Sequence, residues 1–116
     1  MDHLRARADF LRAQRGIRRV APGLTLEICT RPEGGAPRVG FTASRKIGGA
    51  VVRNRAKRRL RAIAAEILPV SGLAATDYVL VARRDTVTRP FESLKADLAQ
   101  ALGAAHLKLG RAGDIR

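Results

Sequence analysis

The sequence predicts an α+β domain: an α/β sandwich in which elements in the order α-β-β-α-β-α build a small mixed sheet of three to four strands packed with helices. Three observations predict it. Leu24–Thr30 and Arg38–Ser44 alternate apolar and polar residues with the period of two that marks strands. From Gly49 to Leu68, and again after Pro90, apolar residues recur at helical spacing. No repeat or change of composition divides the 116 residues, so residues 1–116 read as a single domain with one modest core.

Residues 1–8 read as a loose basic tail. A short helix follows over about Asp9–Arg15, with Gly16 as its stop, Phe10 projecting and Leu11 placed to serve the core. In "LTLEICT", Leu24, Leu26 and Ile28 share one face while Thr25, Glu27 and Cys29 take the other, the pattern of a half-buried strand. "RPEGGAP" is a turn by its Pro and Gly content, and "RVGFTAS" puts Val39, Phe41 and Ala43 together, so the two strands are expected to form a hairpin. In the next helix Val52, Ala56, Leu60, Ile63 and Ile67 fall within an arc of about 80° at about 100° per residue. Pro69 is expected to end it. "DYVLVAR" is a nearly continuous apolar run, read as a strand covered on both faces. Pro90 suits the first turn of a last helix, whose stripe is Phe91, Leu94, Leu98, Ala101, Leu102, Ala105 and Leu109. Residues 110–116 are expected to be a loose tail.

The chain carries 23 Lys and Arg against 10 Asp and Glu, a net charge of +13, and that charge is concentrated. Residues 34–65 hold nine basic residues and no acid, and six of these lie between Arg53 and Arg61. Such a block repels itself unless it is solvated or meets a polyanion. No apolar stretch has the length of a membrane span, and "MDHLRARADF" has no secretory h-region, so a soluble cytoplasmic protein with no membrane partner is expected. Cys29 is the only cysteine, which excludes an internal disulfide and a Cys/His zinc cluster.

Ordinary enzyme chemistry finds no site. His3 lies in the tail and His106 beside the last apolar stripe, neither with a nucleophile or carboxylate partner in sequence. The acids are scattered singly, and nothing near Cys29 lowers its pKa. "KIGGAV" lacks the spacing of a phosphate loop, although the first amides of the following helix could receive a phosphate. Binding of a phosphate backbone fits instead: Arg and Lys on one helix displace condensed counterions, and Arg forks two N–H groups onto a phosphate. Asn54 interrupts the run with a group that both donates and accepts, suited to fixing a neighbouring Arg or reading a base or 2′-OH.

The stretch "GFTASRKIGGAVVRNRAKRRLRAI", Gly40 to Ile63, resembles the signature of the bacterial ribonuclease P protein component, with the spacing from "SRKIG" to "RNR" kept. "ADFLRAQRG", "DYVLVARR" and the last helix agree in layout, so the resemblance covers roughly residues 5–109. It implies a ribosomal protein S5 domain 2-like fold with a left-handed β-α-β crossover. It also implies a role as protein cofactor of a ribozyme whose RNA subunit, using Mg2+, cleaves precursor tRNA to make the mature 5′ end. By the same resemblance the protein has no catalytic residue, no metal or cofactor of its own and no small-molecule substrate, and it is inactive alone. Its RNA-facing residues would be Arg45, Lys46, Arg53, Asn54, Arg55, Lys57, Arg58, Arg59 and Arg61. A second surface, a cleft receiving the 5′ leader of precursor tRNA, would use Phe10, Gln14, Arg83 and Arg84. The chain departs from the family there: Gln14 stands where a second aromatic is common, and the first strand offers Glu27 and Cys29. Leader binding would then rest more on charge. The alternatives are a ribosomal-type structural RNA-binding protein, a nonspecific DNA-compacting protein and an autonomous nuclease.

Overall fold

The computed structural model describes residues 1–114. Its five strands are β1 (Asp2–His3), β2 (Ile17–Val20), β3 (Leu24–Thr30), β4 (Arg38–Thr42) and β5 (Thr76–Ala82), in the spatial order β1-β4-β5-β3-β2. The helices are α1 (Arg7–Gln14), α2 (Ala50–Ser71) and α3 (Phe91–Asp114), with single 3₁₀ turns at Arg45–Ile47 and Arg84–Thr86. β4 and β5 are parallel neighbours joined through α2, a β-α-β unit, while β3 runs antiparallel to both β2 and β5. None of the helices is long and apolar enough to cross a membrane, among the described residues.

The pleat sorts the core. Leu24, Leu26 and Ile28 of β3 and Tyr78, Leu80 and Ala82 of β5 point to one face, where Leu60 and Ile63 of α2 and Leu94, Leu98 and Leu102 of α3 cover them. The register brings Leu26 opposite Leu80 and Ile28 opposite Tyr78, so the apolar side chains form rows across the sheet. On the other face Val79 meets Leu4 and Ala13, with Phe10, Cys29 and Val81 packed around them. Gly16, directly after α1, lies so close to β3 that a Cβ there would stand 2.0 Å from the Ile28 carbonyl oxygen. Only glycine lets the chain turn at that separation.

Several expectations change. The sheet has five strands instead of three to four, because β1 and β2 join it. The N-terminal segment is held rather than loose: Asp2 and His3 pair with Arg38 and Val39, Leu4 donates its N–H to the Val39 carbonyl at 2.8 Å, and its side chain is buried. β3 and β4 are not a hairpin, since β5 lies between them; β3 turns back on β2 through Ala21–Gly23. β3 is therefore an interior strand, and Thr25 and Glu27, expected outside, are buried. On α1 the roles reverse: Leu11 is exposed, while Phe10 and Ala13 face the sheet. α2 runs two residues past Pro69, whose missing N–H would have served the carbonyl of exposed Ala65, where water can replace it. α3 continues to Asp114 across part of the expected tail; residues 115 and 116 lie outside the described residues.

Candidate nucleic-acid interface

α2 buries Ala56, Leu60, Ile63, Ala64 and Leu68 against the sheet and α3, which fixes what faces outward. Arg61, Asn54, Arg58 and Arg55 are all exposed and fall within about 120° of the helix circumference at about 100° per residue. Val51, also exposed, lies within the same arc. Arg53 and Lys57 are half-buried along one flank, and Arg59 is half-buried on the other. Arg45 and Lys46 are exposed on the 3₁₀ turn that leads into α2. Gly48, at φ +149°, makes the reversal between that turn and the helix, and a Cβ there would meet the Val52 side chain.

This helix is electrostatically unfavourable by itself. Arg55 and Arg58, Arg58 and Arg61, and Lys57 and Arg61 are like-charged neighbours at three- or four-residue spacing, each costing about 0.2–0.5 kcal/mol. Its first turn holds no acid and its N-cap, Gly49, supplies no side-chain acceptor, so cations cluster near the positive end of the helix dipole. Among the described residues none of Arg45, Lys46, Arg55, Arg58 or Arg61 has a carboxylate partner, whereas Arg12, Arg31, Arg38 and Arg89 do. An external anion removes all of these penalties at once. Arg61 additionally lies over the Phe41 ring, 5.6 Å from its centroid.

Arg59 is different. Its Nη1 donates to the carbonyls of Thr86 and Val87 at 2.6 and 2.8 Å, and its Nη2 to that of Arg89 at 2.6 Å. Three of its five N–H groups serve the chain itself, which separates it from the free cations of the arc.

The four expected cleft residues fall into two grooves. Phe10 and Gln14 line one of about 340 Å³ together with Arg5, Arg7, Leu11 and Thr42. Phe10 lies against Gly40 of β4, where a Cβ would stand 2.5 Å from the ring. Arg83 and Arg84 line another groove, of about 420 Å³, with Pro22, Ser44, Lys46, Ile47 and Asp85. Arg5, Arg7, Leu11 and Thr42 are groove residues that the sequence does not single out as such. Arg5 and Arg7 fall in the segment that the sequence presents as a tail, and their basic character just before and at the start of the helix that carries Phe10 is the signal that marks them. Cys29 is half-buried under α1, where burial pushes its thiol upward and disfavours the thiolate. Among the described residues no group of three or more His, Cys, Asp or Glu is placed to share a metal ion.

The family model for ribonuclease P matches residues 1–106, nearly the whole of this arrangement. The chain belongs to the ribonuclease P protein component family. The ribonuclease P protein component of Ruegeria pomeroyi is 49% identical over 106 residues, covering 89% of this chain and 85% of that protein. That of Paramagnetospirillum magneticum is 44% identical, covering 88% and 80%. In three dimensions the RNase P protein of Staphylococcus aureus is similar with a TM-score of 0.74 at 25% identity, covering 90% of this chain and 95% of that one. The RNase P protein of Thermotoga maritima shares the fold, with a TM-score of 0.72 at 23% identity. Ribonuclease P membership makes the α2 arc, inside the matched region, the first candidate for contact with RNA.

Proposed function

We propose that this chain is the protein cofactor of a cytoplasmic ribonuclease P ribozyme. It docks on the catalytic RNA subunit through the α2 arc and holds the 5′ leader of precursor tRNA, while the RNA, with magnesium, cuts the substrate. The observation that carries this reading is the arc of exposed Arg55, Arg58 and Arg61 with Asn54, without a carboxylate partner among the described residues, on a helix that pays for its own charge. Cations held at fixed spacing on a rigid element suit phosphates arranged along a folded RNA, and they make affinity fall steeply with salt. Asn54, exposed within the arc, can bond a base edge or 2′-OH, which the cations cannot distinguish.

The leader would lie along the α1 groove and the Lys46–Arg83–Arg84 groove, which offer one half-buried ring and several cations. One aromatic with surrounding charge fits a single strand bound mainly through its backbone, with base stacking as a minor contribution. Titration of the assembled RNA–protein complex with precursor and mature tRNA tests this. The precursor should bind more tightly, and the difference should vanish when the protein is omitted. Equal affinities with the protein present would contradict the leader role.

A further inference from the structure

We infer that Arg59 is a positioning residue for single-stranded RNA, fixing the groove of Arg83 and Arg84 to the RNA-docking helix, and not a phosphate ligand. This rests on the proposed leader role and adds to it the residue that sets the groove's geometry.

The groove has two walls. Lys46 and Ser44 form one, on or beside the 3₁₀ turn that enters α2; Arg83, Arg84 and Asp85 form the other, at the exit of β5. The second wall belongs to a short segment, 83–89, in which the Arg83 and Asp85 carbonyls accept local turn bonds from Thr86, Thr88 and Arg89. Arg59 collects three other carbonyls of the segment: Thr86, Val87 and Arg89. Thr86, fully buried, accepts the Arg83 N–H at 2.8 Å and donates its hydroxyl to the Gly23 carbonyl at 2.6 Å, which pins the same segment to the β2–β3 turn. Arg89 is held in turn by Asp97 of α3. Arg59 therefore hydrogen-bonds this segment to α2, beside the packing of Val87 on the core, and through it both walls are referred to one helix.

A planar guanidinium spreads its donors over two nitrogens and so can span three carbonyls. A lysine keeps the charge but concentrates its donors on one atom. Charge and fork are thus separable by Arg59→Lys.

The experiment measures binding to the RNA subunit across salt concentration, and binding of precursors with long and very short leaders to the complex. Arg59→Gln should leave the salt slope for the RNA subunit unchanged, whereas Arg58→Gln should lower it by about one unit. Both Arg59→Gln and Arg59→Lys should weaken long-leader precursor by between about threefold and tenfold, as expected when one or two exposed ion pairs are displaced. Short-leader precursor should be unaffected. In Arg59→Lys, which keeps the charge and disturbs the fold least, amide exchange over residues 83–89 should speed up while the sheet stays protected. Full rescue by Arg59→Lys, or a slope lowered by Arg59→Gln as by Arg58→Gln, would overturn the inference. If the unaltered chain proves indifferent to leader length, the leader reading fails. The salt slope and the exchange over 83–89 then decide whether Arg59 positions that segment.

Discussion

Arg38 of β4 grips Asp77 of β5 at two points, Nε to Oδ1 at 2.8 Å and Nη2 to Oδ2 at 2.7 Å, across strands paired at those residues. Asp77 is fully buried and also accepts from Arg31. Arg12 brings α1 to the same carboxylate at 3.4 Å. The ion cluster thus fastens the helix that carries Phe10 to the centre of the sheet. Burial pushes the Asp77 carboxyl up, but the bonds from Arg38 and Arg31 outweigh it and hold the group below its ordinary 3.8.

Asp77→Asn should therefore cost about 3–5 kcal/mol, because it removes the buried negative charge that Arg12, Arg31 and Arg38 share. The folded-state pKa is depressed, so this stabilisation is complete above the unfolded value near 3.8 and is lost as pH falls below it. Urea denaturation from neutral pH into that range checks both points. The acid-dependent loss should shrink in Asp77→Asn, and an unchanged profile would contradict the assignment.

A second pH effect lies at the far end of α3. The Tyr78 hydroxyl accepts the Leu73 N–H at 2.8 Å and lies 2.7 Å from Nε2 of His106, where a neutral imidazole protonated on Nδ1 accepts the tyrosine proton. Burial lowers the His106 pKa from 6.5. Its contribution is present above about 6.5 and declines as pH drops below that value. His106→Gln should flatten the stability profile in that window; a slope that persists would assign the effect elsewhere.

Phe10 serves two purposes, packing on Leu4 and Gly40 while lining the α1 groove. Because it is only half-buried, Phe10→Ala should cost about 1–2 kcal/mol of stability, below the full burial of a large apolar side chain. Affinity for long-leader precursor should fall by about 1 kcal/mol, the low end for one base–aromatic stack, with mature tRNA unaffected. Gln14→Phe should raise it. Equal losses for long and short leaders would show that Phe10 is core alone.

Arg58 stands three residues from both Arg55 and Arg61 on the exposed arc. Arg58→Ala relieves like-charge contacts, so the melting temperature should hold or rise, with a stability change within about 0.5 kcal/mol. The salt slope of RNA-subunit binding should fall by about one unit. Loss of stability without a change in slope would make Arg58 structural.

Periodicity made α2, α3, β3, β4 and β5 legible, because each has an apolar stripe that must be covered. It missed β1 and β2. β1 is two residues long, and β2, "IRRV", spends half its length on arginines at a sheet edge. Strand order was also hidden: a Gly-rich link between two alternating segments looks like a hairpin, and only the later apolar run of β5 decides that it inserts between them. The exposed arc of α2 could be read directly, since charge opposite an apolar stripe needs no tertiary information. The ion cluster could not. Arg12, Arg31, Arg38 and Asp77 are far apart in the chain, and nothing local separates an arginine that binds outward from one, such as Arg59, that turns back on carbonyls of its own chain.

We propose that this chain assists an RNA catalyst without being a nuclease itself. Cleavage of precursor tRNA by the cognate RNA subunit at low magnesium, with and without this protein, tests it most directly. Little cleavage by the RNA alone, efficient production of the mature 5′ end when the protein is added, and none by the protein alone with metal are expected. Cleavage by the RNA-free protein, or no stimulation of the RNA, would contradict it.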